Sequence, residues 1–152
     1  MKKILIALDY SPAAEKVAQA GYGLAKSLKA EAILAHVITE SAFYAMEYSP
    51  IMGYSGAYTS GAVEVVEDIR KEAENFLTAA AAHLGDPKIS TKVLEGDTAD
   101  AIRDYAAESN VDIIVVGSHS HHGLDRLFST HVAGHLLKHS KTQLLIIPTD
   151  DN

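Results

Sequence analysis

Four short, almost uninterrupted aliphatic runs limit what this chain can fold into. They are KILIAL (Lys3–Leu8), AILAHVI (Ala32–Ile38), DIIVVG (Asp112–Gly117) and QLLIIP (Gln143–Pro148). A strand with one wet face alternates apolar and polar residues, whereas a strand covered on both faces has no reason to. The four runs therefore read as strands of a parallel sheet sandwiched between helices. A fifth run, ISTKVLE (Ile89–Glu95), is more polar and alternates, as an edge strand does.

Helical patterns separate the runs. SPAAEKVAQAGYGLAKSLKA offers Ser11 as an N-cap and Pro12 at the first helical position. Val63, Val66, Ile69, Ala73, Phe76, Leu77, Ala80 and Leu84 recur at helical spacing until Gly85 and Pro87 stop them. DTADAIRDYAAESN has Asp97 three residues before Asp100 and acidic residues in its first turn, which suits a helix start. A last helix is expected from about His131 to Ser140. Five strands alternating with four helices predict an α/β fold with a mostly parallel sheet. No repeat or linker is visible, so residues 1–152 read as one domain with a short tail at 149–152. One stretch breaks the alternation. Residues 41–62 form a long irregular loop holding Tyr44, Tyr48, Tyr54, Tyr58, Met46 and Met52. It either covers the sheet edge or a subunit contact, or acts as a lid over a ligand site.

Composition excludes several classes. A chain of 152 residues, 47% hydrophobic, can bury a real core and is not disordered. It has no cysteine, hence no disulfide, thiol chemistry or Cys-type zinc site. A net charge of −7 disfavours nucleic acid and anionic membrane as partners. The start, MKKILIALDY, lacks the longer apolar stretch and small-residue cleavage site of a signal peptide. No apolar run approaches the ~18 residues of a membrane span. A cytoplasmic protein is expected.

Ligands of an open parallel sheet bind beyond the carboxyl ends of its strands. Those ends hold Asp9, Tyr10 and Ser11, then Val37 to Thr39, then Gly96, then Gly117 onward. The stretch VGSHSHHGLDRLFSTHVAGH (Val116–His135) contains five of the eight histidines and leads into the last helix, whose free N–H groups suit an anion. His131, His135 and His139 recur every four residues, a spacing that can chelate zinc when further ligands and second-shell support exist. At about 100° per residue this stripe lies about 130° from the centre of the apolar face of Val132, Ala133, Leu136 and Leu137. A solvated face is therefore expected, with no metal required. His36 reads as a satisfied core or strand-end histidine, and His83 as a partner of a helix dipole. Asp9, Ser118, His119 and Ser120 carry hydrolase-type groups, but no Walker motif or nucleophile elbow accompanies them. No catalytic residue is assigned.

KILIALDYSPAAEKVAQ, AHVI, EGDTADAIRDYAAESNVDIIVVGSHS and GLDRLF…HVAGHLLKHSKTQLLIIP together resemble the universal stress protein family over nearly the whole chain. The resemblance implies a five-stranded parallel sheet of order 3-2-1-4-5 with helices on both faces. This is a Rossmann-like fold of the adenine nucleotide alpha hydrolase type. ATP-binding members carry Gly, two residues, Gly, nine residues, Gly, then Ser or Thr after strand 4. Here these positions are Gly117, Ser120, Thr130 and His131, so three of four depart, while Gly123 and the GLDRLF it begins stay in register. Ser120 is a mild change. Thr130 resists positive φ and fills space beside the phosphates. Ser129 and Thr130 still offer hydroxyls to an anion, the helix that His131 opens keeps its free N–H groups, and His119, His121, His122 and Arg126 could supply positive charge. Asp9 matches the family aspartate near base and ribose, and Val37 the apolar residue against the base.

Three functions follow from the resemblance. The first is a non-enzymatic stress-response regulator that binds ATP, with magnesium entering only alongside it. The second is a nucleotide-free interaction module, and a weak ATP hydrolase ranks third. The protein partners are not specified by the sequence. QLLIIP would lie at a sheet edge with bare N–H and C=O groups, and the four-residue tail is too short to cover it. A second copy of the same strand would cover it, giving a homodimer with apolar contacts from Leu144, Leu145, Ile146 and Ile147, ended by Pro148.

Overall fold

The computed structural model describes residues 1–39, 60–118 and 132–149. The chain runs β1 (Lys3–Ala7), α1 (Ala14–Leu28), β2 (Glu31–Ile38), α2 (Ser60–Leu84), β3 (Ser90–Glu95), α3 (Thr98–Glu108), β4 (Ile113–Gly117), a helix α4 described over 132–139, and β5 (Gln143–Ile147). All five strands lie in one parallel sheet of order β3-β2-β1-β4-β5. Residues 60–62, expected in the long loop, belong to α2, and 41–59 lie outside the described residues.

The apolar runs are continuous because both faces of the sheet are covered. On one face, Ile4, Ile6, Leu34 and Val115 pack with Val17 and Ala25 of α1 and Leu77 of α2. On the other, Leu5, Ile33, Ile114 and Val116 pack with Ile102 and Ala106 of α3 and with Ala133 and Leu136 of α4. Ile4, Leu5 and Ile6 of β1 thus feed opposite layers in turn while all three remain fully buried. Emptying one such site, as in Leu5→Ala, costs about 2–5 kcal/mol.

The helix ends follow local chemistry. Asp97 caps α3, its Oδ1 accepting from the Asp100 N–H at 3.0 Å. Gly85, at φ +76°, ends α2 by donating to the carbonyls of Ala81 and Ala82. The start of α1 differs from expectation. The cap position is Ala13, without a side-chain bond, and Ser11 and Pro12 lie in a preceding turn. Just before that turn, Asp9 Oδ1 accepts the Ser11 N–H at 3.0 Å in an Asx turn. Leu137, expected on the buried stripe of α4, is 69% exposed, while Leu136 beside it is fully buried.

Candidate functional site

Strands β2, β1 and β4 are neighbours and parallel, so their carboxyl ends meet at one end of the sheet. That arrangement brings Asp9, Val37 and Gly117 to the same end. Asp9 is exposed just beyond β1, its carboxylate half-engaged by the Ser11 N–H. Val37 is buried on the α3–α4 side of β2. Gly96, at φ +119°, turns the chain from β3 into α3 and donates its N–H to the Ile38 carbonyl at 3.0 Å. His119, Ser120, Gly123, Ser129, Thr130 and His131 lie outside the described residues.

Gly117 has a packing role that its place in the motif does not reveal. A Cβ there would meet Thr149 Cγ2 at 2.9 Å and Val17 Cγ2 at 3.2 Å. Thr149, grouped by sequence with the tail, is 1% exposed. Its N–H donates to Ser118 Oγ at 3.1 Å, and the two hydroxyls are 3.3 Å apart. The Ser118 N–H in turn donates to the Ile147 carbonyl at 2.9 Å. Ser118 is therefore committed to fastening β4 to the end of β5.

On the α1–α2 side of the same strand ends, an aromatic trio closes the sheet. Tyr10 stacks on His36 with ring centroids 4.3 Å apart, and Phe76 of α2 meets the Tyr10 ring edge-on at 4.8 Å. His36 Nδ1 donates to the Leu8 carbonyl at 2.7 Å, which fixes the tautomer and ties β2 to β1. Burial holds the His36 pKa below its usual 6.5, against smaller opposing pulls from the Leu8 carbonyl and the Asp9 charge. The Tyr10 hydroxyl is pushed up, first by burial and then by the charge of Glu72. His36 is thus the satisfied core histidine that the sequence suggested. Tyr10 was missed as its partner, since only the fold unites residues 26 positions apart.

A second non-local cluster joins α3 to α4. His135 Nε2 lies 3.1 Å from Asp100 Oδ1, which also accepts from Arg103 at 3.0 Å. The rings of His135 and His139 are 4.5 Å apart. The histidine stripe is therefore only partly a solvated face, because His135 docks on the first turn of α3. Among the described residues no three His, Cys, Asp or Glu side chains are grouped to hold a metal ion. His83 sits in the last turn of α2 with its Nε2 3.0 Å from Glu15.

Among the described residues, four carboxylates stand at this end of the sheet. Asp9, Glu95, Asp97 and Asp100 all lie at strand carboxyl ends or in the first turn of α3. Arg70 pairs with Glu95, and Arg103 lies 3.0 Å from both Asp100 and Asp104. Lys2, Lys3, Lys29, Lys88, Lys138 and Lys141 lie at the other end, near strand starts and helix ends. Two open, polar grooves flank β3, one lined by Arg70, Glu74 and Lys92, the other by Lys92, Asp104 and Tyr105. Neither includes Asp9, Val37 or Gly117.

The model of the universal stress protein family matches residues 1–148. Universal stress protein A homolog 1 of Coxiella burnetii is 32% identical over 130 residues, 85% of this chain and 84% of that protein. The solved structure of MJ0577 superposes with a TM-score of 0.74 at 27% identity, covering 99% of this chain and 98% of that one. Two more distant structures share the fold and hold nucleotides. A universal stress protein in complex with cAMP superposes with a TM-score of 0.61 at 21% identity, covering 98% of each chain. An Arabidopsis thaliana family member with AMP bound gives 0.58 at 16% identity, covering 99% of this chain and 93% of its own.

Proposed function

Because the chain belongs to the universal stress protein family, we propose that it is a non-enzymatic stress-response regulator that binds an adenine nucleotide at the carboxyl ends of β1, β2 and β4. The carrying observation is that Asp9, just beyond β1, and Val37, in the neighbouring β2, lie at the same end of the sheet as Gly117, the last residue of β4. Asp9 would hold the ribose and Val37 would lie against the base. The nucleotides held by two relatives support the ligand class. A regulator needs occupancy rather than turnover, and the Ser118 hydroxyl is already engaged by Thr149. The regulator would work as a homodimer joined along β5.

The rival reading, a nucleotide-free interaction module, draws on one observation. Gly117 is required by Thr149 and Val17 alone, so its presence does not call for a phosphate. Calorimetry at millimolar adenine nucleotide, with and without magnesium, separates the two. Binding that Asp9→Ala weakens supports the nucleotide site. The absence of heat with every adenine nucleotide and with adenosine sinks it in favour of the interaction module.

A further inference from the structure

Every strand starts at one end of the parallel sheet, and each helix that precedes a strand ends there. The connections at that end, 29–30, 85–89, 109–112 and 140–142, all belong to the described residues. Lysine collects on them. Every lysine except Lys16, Lys71 and Lys92 stands at this end, and all of these but Lys3 are exposed. Lys26 and Lys138 lie in the last turns of α1 and α4, and Lys29 caps α1, where a helix dipole favours a cation. Lys2, Lys88 and Lys141 instead precede β1, β3 and β5, and no helix end accounts for them.

The carboxylates at this end are Glu31, Asp86, Glu108 and Asp112. Asp112 accepts the Lys3 N–H at 2.7 Å, and Asp86 accepts the Tyr22 hydroxyl at 2.8 Å and the Lys88 N–H at 2.9 Å. The ion pairs among the described residues use Arg70, His83, Arg103 and His135, and no lysine. Aliphatic side chains are exposed at the same end: Met1 fully, Leu28 by 40% and Leu137 by 69%. Neighbouring strands lie about 4.8 Å apart, so the row from Lys88 at β3 to Lys141 at β5 spans roughly 19 Å, the length of about six extended residues.

A row of compact ammonium groups suits carboxylates, whereas phosphate and nucleic-acid recognition favours the arginine fork, and Arg70 and Arg103 stand within α2 and α3, away from this end. A bilayer or a duplex would also press against Glu31 and Glu108, which a narrow chain can pass. We propose that the amino end of the sheet docks an extended acidic segment of a partner protein, its carboxylates on Lys2, Lys29, Lys88 and Lys141 and its apolar side chains against Leu28 and Leu137.

Fluorescence anisotropy of the full chain with the fluorescein-labelled hexapeptide EELEEL tests this. The peptide should bind with a dissociation constant below about 1 mM at about 50 mM salt and several-fold more weakly at about 300 mM. The uncharged peptide QQLQQL should not bind. Lys88→Glu together with Lys141→Glu should weaken EELEEL at least about tenfold. Lys16→Glu together with Lys71→Glu changes the net charge equally but elsewhere, and should leave the affinity within about twofold. No binding of EELEEL, equal binding of QQLQQL, or equal losses in the two double variants overturns the proposal. Displacement of the peptide by phosphatidylserine vesicles or duplex DNA at equal charge concentration overturns the protein partner in favour of that surface.

Discussion

The sheet has two edges, and they are built on opposite rules. At the β3 edge Ser90, Thr91, Lys92 and Glu95 are exposed, Glu95 is paired with Arg70, and Lys92 leans over Tyr105. At the β5 edge Leu145 and Ile147 pack on the α1 layer, Leu144 packs toward α3 and α4, and Ile146 is left 37% exposed. Charge on an edge strand discourages pairing with another chain, whereas an aliphatic edge invites it. The contrast also narrows the dimer contact expected from sequence. Of the four residues assigned to it, three already pack against their own domain, and Ile146 has the most left to bury.

The edges also differ in how their strand ends are fastened. On the β3 side the tie is His36, joining β2 to β1 through the Leu8 carbonyl. On the β5 side it is Ser118 with Thr149, closed over Gly117. One tie titrates, and the other is made of hydroxyls and backbone.

The sharpest test places one new charge on each edge. Ile147→Lys buries an ammonium against α1 and should cost more than about 3 kcal/mol, while Thr91→Lys on β3 should stay within about 0.5 kcal/mol. Urea unfolding of both variants measures the gap, and equal losses would erase the distinction between the edges. Gly117→Ala comes next. Its Cβ must displace the stiff, buried Thr149 side chain, at about 1–3 kcal/mol. A normal urea midpoint for that variant would show that the clasp yields freely. Ile146→Lys is smaller in energy but plain in outcome. It should weaken dimerisation at least about tenfold, read as halved mass by light scattering at micromolar concentration, with little change in unfolding midpoint. A monomeric parent, or a variant that stays dimeric, removes β5 as the interface.

The smallest effect is acid sensitivity. His36 has a folded pKa below the usual 6.5, so the unfolded chain takes up the proton more readily. The stability it supplies is complete above that value and is lost as pH falls below it, by at most about 1.4 kcal/mol per pH unit. Amide exchange on acidification should therefore speed up in β2 and β3 before β4 and β5. The opposite order, or none, breaks the comparison. His36→Gln should flatten the pH slope.

Much of the fold was legible because it rests on local chemistry. Runs covered on both faces declared the central strands, Asp97 declared the start of α3, and Gly85 declared the end of α2. The errors came where two local signals competed or where a contact was distant. Asp9 sets an Asx turn at Ser11, and α1 begins only after Ala13. Leu137 shares its apolar character with Leu136, but a helix beside an edge strand has less sheet to cover. Thr149 looks like tail until its hydroxyl and N–H find Ser118, 31 residues earlier. At the site, Asp9 and Val37 were legible through the resemblance. The docking of His135 on Asp100 was not, because no periodicity within α4 encodes a carboxylate on another helix.

Gly117 bears on how signatures of lost functions persist. Its missing side chain is occupied by Thr149 and Val17, so replacement is penalised by sterics in any descendant of this chain, whatever that descendant binds. A lineage could shed its ligand, let Ser120, Thr130 and His131 drift, and still be unable to release this one position. Surviving letters of a binding motif then record mechanical necessity as faithfully as they record a ligand, and a search pattern weights both alike.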